Sequence, residues 1–384
     1  MFTSLRPVGN KIKYSNITYS DDLFEPYNTK FYQSGTAALA SAMTAAKQAN
    51  PEITQPKILL PAYACPDLIS AVVYANVEPV LIDFEQDKPW MALDDIQKNL
   101  SDSVIAIIAV NLLGIPERVS LIKELLNNTH IVLIEDSAQS LPLDINSDYW
   151  QGDIVITSFG RGKPLGLLGG GAILTKEAEL YKYLPSPKRT KLNLFKSLNY
   201  QLKLHLYNIL TKHFIYHWLI KIPGLEIGKT SYKKLTALES CHTTILNLLT
   251  INYSVYKSKK LVNRKIQAML QRINAPLIID LPGVCNVDLA GPLLRYPILI
   301  TDKKVRNQLL SCLNQHGLGA SSMYADILPN IEGIDSNLFT EKNEYLSAKD
   351  FANHLITFPT HSDVKDSHIK KIESILLKLI LDNA

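Results

Sequence analysis

Short apolar, β-branched runs alternate with helix-forming stretches from residue 30 to 176, and no other feature narrows the possible folds as far. The runs are KILLP (57–61), PVLIDF (79–84), VIAIIAV (104–110), IVLIED (131–136), DIVITSF (153–159) and GAIL (171–174). Each is too short for an ordinary helix and is bounded by turn residues, so each reads as a strand. The stretches between them read as helices. TAALASAMTAAKQAN (36–50) is rich in Ala, the best helix former. PDLISAVVYAN (66–76) opens on Pro, tolerated in a first helical turn because the N–H it lacks would be unpaired there. PERVSLIKELLNN (116–128) sets Val119, Ile122, Leu125 and Leu126 on one face. This alternation predicts an α/β fold with a mostly parallel central sheet flanked by helices. Strands that are apolar along nearly their whole length fit a sheet covered on both faces.

After these runs the chain changes character. From 180 to 225 there is no Asp or Glu, against eight cations: Lys182, Lys188, Arg189, Lys191, Lys196, Lys203, Lys212 and Lys221. Leu194, Leu198, Leu202, Leu206 and Ile209 recur at helical spacing and make one face apolar; Phe214, Tyr216 and Trp218 follow. A long helical pattern runs from about 236 to 273. Beyond 276, LRYPILI and LITFPT read as strands, KKVRNQLLSCLNQHG as a helix ending at Gly317, and VKDSHIKKIESILLKLILD as a closing helix. The expected organisation is a large domain over 1–235 with a basic helical insertion at 180–230. A long connecting helix and a smaller C-terminal α/β domain would occupy 236–384.

Composition excludes several classes. With 46% hydrophobic and 20% charged residues, a chain of 384 is no disordered polymer and has room for two or three domains. A net charge of +4 is too small a bias to make nucleic acid the default partner. The cysteines at 65, 241, 285 and 312 form no CxxC pair, so no zinc site and no disulfide framework is expected. Reduced thiols fit a cytoplasmic location. The N-terminal stretch MFTSLRPVGNKIKYSN lacks the apolar stretch of a signal peptide. The most apolar run, 104–110, is far shorter than the ~18–20 residues of a spanning helix.

Three local signals sit at strand ends or helix starts, where open α/β sheets bind ligands. Ser34-Gly35-Thr36 precedes the Ala-rich helix, and free backbone N–H groups at a helix start suit a phosphate. Taken alone, it reads better as an ordinary N-cap. Glu135-Asp136-Ser137-Ala138-Gln139 follows the strand IVLI. An acid there would serve as a metal ligand, a general base, a partner for a cationic heterocycle nitrogen, or a turn cap. Ser158-Phe159-Gly160-Arg161-Gly162-Lys163-Pro164-Leu165-Gly166 leads into Gly169-Gly170-Gly171. A lysine held there near the interior, beside Arg161, would have its pKa lowered and its amine freed as a nucleophile. The competing reading is a solvated lysine in a flexible loop.

Together, the phosphate site, an acid 27 residues before a Gly-flanked Lys, and a Ser five residues before that Lys resemble the DegT/StrS family of PLP-dependent sugar aminotransferases, of PLP fold type I. The resemblance runs from about 30 to 380. It includes SGTAAL, the PAY…ANVEPVLIDF unit, EDSAQ, SFGRGKPLG…GGG, and the late RYPILI, GASSMY and FPTH segments. It implies that Lys163 binds pyridoxal 5'-phosphate covalently and later moves the substrate proton. Asp136 would pair with the pyridinium nitrogen, and Gln139 would lie near the phenolic oxygen. Gly35, Thr36 and Ser158 would hold the phosphate. It also implies a homodimer with the site at its interface.

Three positions depart from the family pattern. The aromatic residue that stacks on the cofactor ring falls at Cys65, unless Tyr63 supplies the stacking through a shifted loop. The segment that lends a phosphate contact from the partner subunit falls at Tyr232-Lys233-Lys234, where Lys234 would supply the cation. A histidine common in the mid-sheet segment is Asn111. The resemblance implies transamination of a keto-sugar, nucleotide-linked, with glutamate as donor. The alternatives are a PLP aminotransferase on a non-sugar carbonyl, or a PLP-binding regulatory homologue without turnover. For the basic segment, packing of its leucine face on its own domain or on the dimer partner is preferred over contact with an anionic membrane surface.

Overall fold

The computed structural model describes residues 3–14, 21–127, 129–189, 194–222, 230–258, 262–339 and 343–381. The six predicted strands of the first half all form. Strands β1 (Asn28–Tyr32), β2 (Lys57–Pro61), β3 (Glu78–Ile82), β4 (Val104–Val110), β5 (Val132–Asp136), β6 (Ile154–Ser158) and β7 (Gly171–Thr175) make one sheet in the order β1-β7-β6-β5-β4-β2-β3. Strands β6, β5, β4, β2 and β3 are mutually parallel, and β7 runs antiparallel to both β6 and β1.

Helices α1 (Gly35–Ala49) and α2 (Asp67–Ala75) cover one face of the sheet; α3 (Leu93–Asn99) and α4 (Val119–Leu126) cover the other. The strands therefore send apolar side chains both ways: Ile105 and Ile108 pack under α1, while Ile107 and Leu133 meet Ile96, Val119 and Ile122. The small side chains of α1 let it sit close to the sheet, with nine of its fifteen residues buried. Helix α5 (Ala178–Tyr183) follows β7.

The basic segment forms α6 (Leu194–Leu210) and α7 (His213–Leu219). Lys191, the side chains of Leu194 and Lys196, and residues 223–229 lie outside the described residues. The preferred packing of the leucine face on its own domain does not hold for Leu198, Leu202, Leu206 and Ile209, which are exposed. The opposite face is the docked one, and polar groups fix it. Leu204 is fully buried, Tyr200 hydrogen-bonds the Leu167 carbonyl, and Asn208 Nδ2 donates to the Ile12 carbonyl at 2.9 Å. The Ile12 N–H donates back to Asn208 Oδ1 at 2.9 Å.

The predicted long helix from 236 to 273 is instead two helices, α8 (Thr243–Lys257) and α9 (Val262–Ile273). Residues just before α8 are held extended along the edge of β1: the Gln33 N–H donates to the Glu239 carbonyl at 2.9 Å, and Ser240 bridges Tyr32. His242 then caps α8, its Nδ1 accepting the Thr244 N–H at 3.2 Å.

The C-terminal part carries a second, antiparallel sheet in the order β10-β9-β8, from β8 (Ile278–Asp280), β9 (Arg295–Ile300) and β10 (Leu355–Pro359). Helix α10 (Leu281–Val284) follows β8 directly. Helices α9, α11 (Lys303–Gln315) and α13 (Asp366–Leu381) pack on one face around Tyr296, Ile298, Ile356 and Phe358. The other face presents Leu299 and Leu355 to Phe351 of α12 (Leu346–His354) and to the large sheet's own core. The two sheets thus share one hydrophobic cluster. The N-terminal segment joins them as well: the Leu5 N–H donates to the Gly317 carbonyl at 2.8 Å, and Arg6 pairs with Asp363 at 2.8 Å.

Candidate active site

Parallel strands bring their carboxyl ends to one edge of the sheet, so residues at successive strand ends become neighbours. Asp136 ends β5 and Ser158 ends β6. Lys163 lies in the tight turn after β6, its N–H donating to the Gly160 carbonyl at 3.3 Å. A cavity of about 740 Å³ opens there, lined by Cys65, Asp67, Gln139 and Lys163 from the large sheet's side. Arg295, Ser321, Met323 and Tyr324 line it from the C-terminal part, and Arg6 from the N-terminus.

Asp136 is buried, which pushes its carboxyl pKa up; the Lys163 ammonium opposes that and favours the anion. Its Oδ1 accepts the Ala138 N–H at 3.0 Å, and its other oxygen takes no donor among the described residues. Lys163 is half-buried and has no ion-pair partner among the described residues. The neighbouring Glu135 points the other way, as strand alternation requires. It accepts Asn111 Nδ2 at 2.8 Å and the Gln151 and Gly152 N–H groups at 2.8 and 2.9 Å, so it braces the loop. Asn111 belongs to that brace and is fully buried.

At the start of α1, Ser34 Oγ accepts the Ala37 N–H at 3.1 Å and caps the helix. The N–H groups of Gly35 and Thr36 have no acceptor within the helix and carry the positive end of its dipole. Glycine is required at 35 by contact: a Cβ there would meet Ser158 Cβ and Oγ at 2.7 Å. A Cβ on Gly171 would likewise meet Gly35 N at 2.6 Å. The sequence thereby presses a helix start against the Ser158 hydroxyl, which suits a phosphate. With a carboxylate oxygen left open on Asp136 and an unpaired amine on Lys163, these residues fit pyridoxal phosphate.

The two residues considered beside the ring differ in their access to the cavity. Cys65 lines the cavity; burial raises its thiol pKa to about 12, so it is a neutral, polarizable group there. Tyr63 does not line it. Its ring is fully buried among Phe84, Tyr324 and Phe351, and its hydroxyl accepts the Tyr324 N–H at 3.2 Å. Gln139 is buried with both ends engaged: its Oε1 accepts the Leu113 N–H at 3.2 Å and its Nε2 donates to the Tyr324 hydroxyl at 3.1 Å. Lys234 is exposed and off the wall, whereas Lys233 is on it.

Four wall residues escape sequence reasoning. Tyr324 carries a hydroxyl that touches both Gln139 and Cys65. Arg295 is enclosed so that Nε and Nη1 are buried with no hydrogen-bond partner among the described residues, and burial lowers its pKa to about 10. Arg6 leaves Nη2 unpartnered. Tyr216 reaches the wall from α7. Only the GASSMY and RYPILI segments, which carry Tyr324 and Arg295, gave any signal. Arg6, Arg161, Lys163, Lys233 and Arg295 against Asp67 make the cavity strongly cationic.

Residues 31–193 match the DegT/DnrJ/EryC1/StrS aminotransferase family. A stretch of 154 residues is 31% identical to UDP-N-acetyl-3-dehydro-alpha-D-glucosamine 3-aminotransferase of Acidithiobacillus ferrooxidans. That stretch is 39% of this chain and 41% of the relative, so the chain spans less than half of the length of the relative it matches. Among solved structures, PseC of Helicobacter pylori, an aminotransferase involved in the biosynthesis of pseudoaminic acid, shares the fold with a TM-score of 0.66. It is 16% identical, with 99% of each chain covered. NtdA of Bacillus subtilis, solved with bound cofactor PMP, also has a TM-score of 0.66, at 18% identity over 92% of this chain and 73% of its own.

Proposed function

We propose, from the match of residues 31–193 to the DegT/DnrJ/EryC1/StrS aminotransferase family, that the chain is a PLP-dependent aminotransferase converting a keto-sugar, nucleotide-linked, into an amino sugar with glutamate as donor. The observation that carries this reading is the meeting of Asp136 and Lys163 at one sheet edge, beside the cradle of Gly35 and Ser158. Bound PLP would supply the electron sink for charge developing on the carbon that bears nitrogen.

The chain's own residues do the rest. The α1 N–H groups and the Ser158 hydroxyl would bind the phosphate. Asp136, whose anionic form the Lys163 ammonium favours against the upward push of burial, would hold a proton at the ring nitrogen. The Lys163 amine holds and moves the proton at the reacting carbon. Cys65 would pack against the ring, and Gln139 holds the Tyr324 hydroxyl on the same cavity wall. The cationic wall draws an acidic substrate, and Arg295, with two buried N–H-bearing nitrogens unpaired, is the strongest anion ligand on it. We also place the protein as a homodimer, with Lys234 presented to the partner's site, and its parts as 1–235 and 236–384. A PLP-binding homologue without turnover would have no use for an unpaired lysine opposite a buried carboxylate.

The test follows absorbance through the two half-reactions. Glutamate should convert the cofactor to its amine form, and a keto-nucleotide-sugar should reverse the change. If glutamate reduces the cofactor but only non-sugar carbonyls restore it, the substrate assignment is wrong. If neither half-reaction proceeds, the enzyme assignment is wrong.

A further inference from the structure

The outer face of α6 and α7 is apolar where a soluble protein's surface is ordinarily polar. Leu198, Leu202, Leu206 and Ile209 are 66%, 64%, 49% and 47% exposed, and they fall on one helix stripe. Phe214 and Trp218 of α7, and Ile220 and Ile222 just after it, are exposed as well, at 58%, 49%, 44% and 51%. A contiguous patch of this kind marks an interaction site, whereas single exposed leucines do not.

The charge around it states what the patch fits. The segment 180–225 holds eight cations and no anion, so the chain's +4 is the balance of +8 here and −4 elsewhere. Lys203, Lys212 and Lys221 are exposed beside the stripe, and Lys221 sits 5.3 Å from the Trp218 ring centroid. An apolar stripe with Trp, flanked by Lys and free of acid, is the composition of a helix that lies in the plane of an anionic bilayer surface. A second copy of this chain using the same patch on a two-fold axis would set cations against cations, which disfavours that occupant. No helix among the described residues is long and apolar enough to cross a membrane, so the contact is at the surface.

We propose that α6 and α7 dock this protein on an anionic lipid surface, their outer apolar stripe entering the headgroup boundary and their lysines pairing with lipid phosphates. The inner faces of the same helices line the cavity through Tyr207 and Tyr216. Docking would therefore bring the cavity's wall to the bilayer. The proposal does not depend on the transamination reading, because its readout is binding.

The experiment is co-sedimentation of the full-length protein, loaded with PLP, with vesicles of phosphatidylcholine alone or with phosphatidylglycerol added, at two salt concentrations. Two variants accompany wild type: Leu198→Ser with Leu202→Ser and Leu206→Ser, and Lys203→Gln with Lys212→Gln and Lys221→Gln. Wild type should bind the anionic vesicles and release on raising salt from 50 to 500 mM. The lysine variant should bind about a hundredfold more weakly, and the leucine variant should fail to bind. Absence of binding to anionic vesicles overturns the proposal. So does a leucine variant that binds as wild type, or one whose only change is dissociation of a dimer in sedimentation equilibrium, which would assign the stripe to a second copy.

Discussion

Helices α1 and α6 are both amphipathic in sequence, and they settle in opposite ways. Helix α1 turns its alanines into the core and presses its N-terminus against Ser158. Helix α6 turns Tyr200, Leu204 and Asn208 inward and leaves its leucine stripe outside. An apolar period shows that a helix has a dry face, but not which surface supplies the dryness. For α1 the sheet supplies it. For α6 the protein offers hydrogen-bond partners instead, at Ile12 and Leu167, and these decide which way the helix faces.

The first way to break this contrast is to change the sheet-edge site without touching the arm. Asp136→Asn keeps the shape but removes the charge that would hold a ring proton. It should cost roughly a hundredfold or more in kcat while the melting temperature stays near wild type. Near-normal kcat would make Asp136 a structural turn residue.

The second prediction compares one residue type on one helix. Leu204 is fully buried and Leu202 is 64% exposed. Leu204→Ala should cost about 2–5 kcal/mol by denaturant unfolding. Leu202→Ala should stay within about 0.5 kcal/mol. Similar costs at both sites would mean that the leucine stripe is covered in the isolated protein.

A smaller effect should appear at the N-terminal strap that holds the arm. His361 is buried, its Nε2 donating to the Arg6 carbonyl at 2.9 Å; burial first, then the Arg6 guanidinium, holds its pKa far below the ordinary value. The unfolded chain therefore binds the extra proton more readily, and His361 costs stability as pH falls below about 6.5. Relative to His361→Gln, the wild-type melting temperature should drop between pH 7 and pH 5. A constant difference across that range would show that His361 is not held neutral.

Much of the large sheet was legible from the sequence, because strands buried on both faces announce themselves as continuous apolar runs. β4 is predicted to the residue. β1, reading NTKFY, was not legible, because an edge strand with polar side chains lacks that signal. β8 has three residues, too few for any period. The placement of Asp136, Lys163, Gly35 and Ser158 was legible because they sit at strand ends and a helix start that strand order brings together. Arg6 and Arg295 were not, since they meet at the cavity from the two ends of the chain and only the folded N-terminal strap unites them. The helical pattern before 243 failed for a related reason: pairing with β1 outweighed local propensity.

The central claim is that Lys163 is the residue to which the cofactor binds covalently. Borohydride reduction of the protein loaded with PLP, followed by peptide mapping, tests it directly. The account predicts a single pyridoxyl adduct on the peptide containing Lys163 and none in Lys163→Ala, which should also lose transamination. An adduct on another lysine, or a Lys163→Ala variant that still turns over, would contradict it.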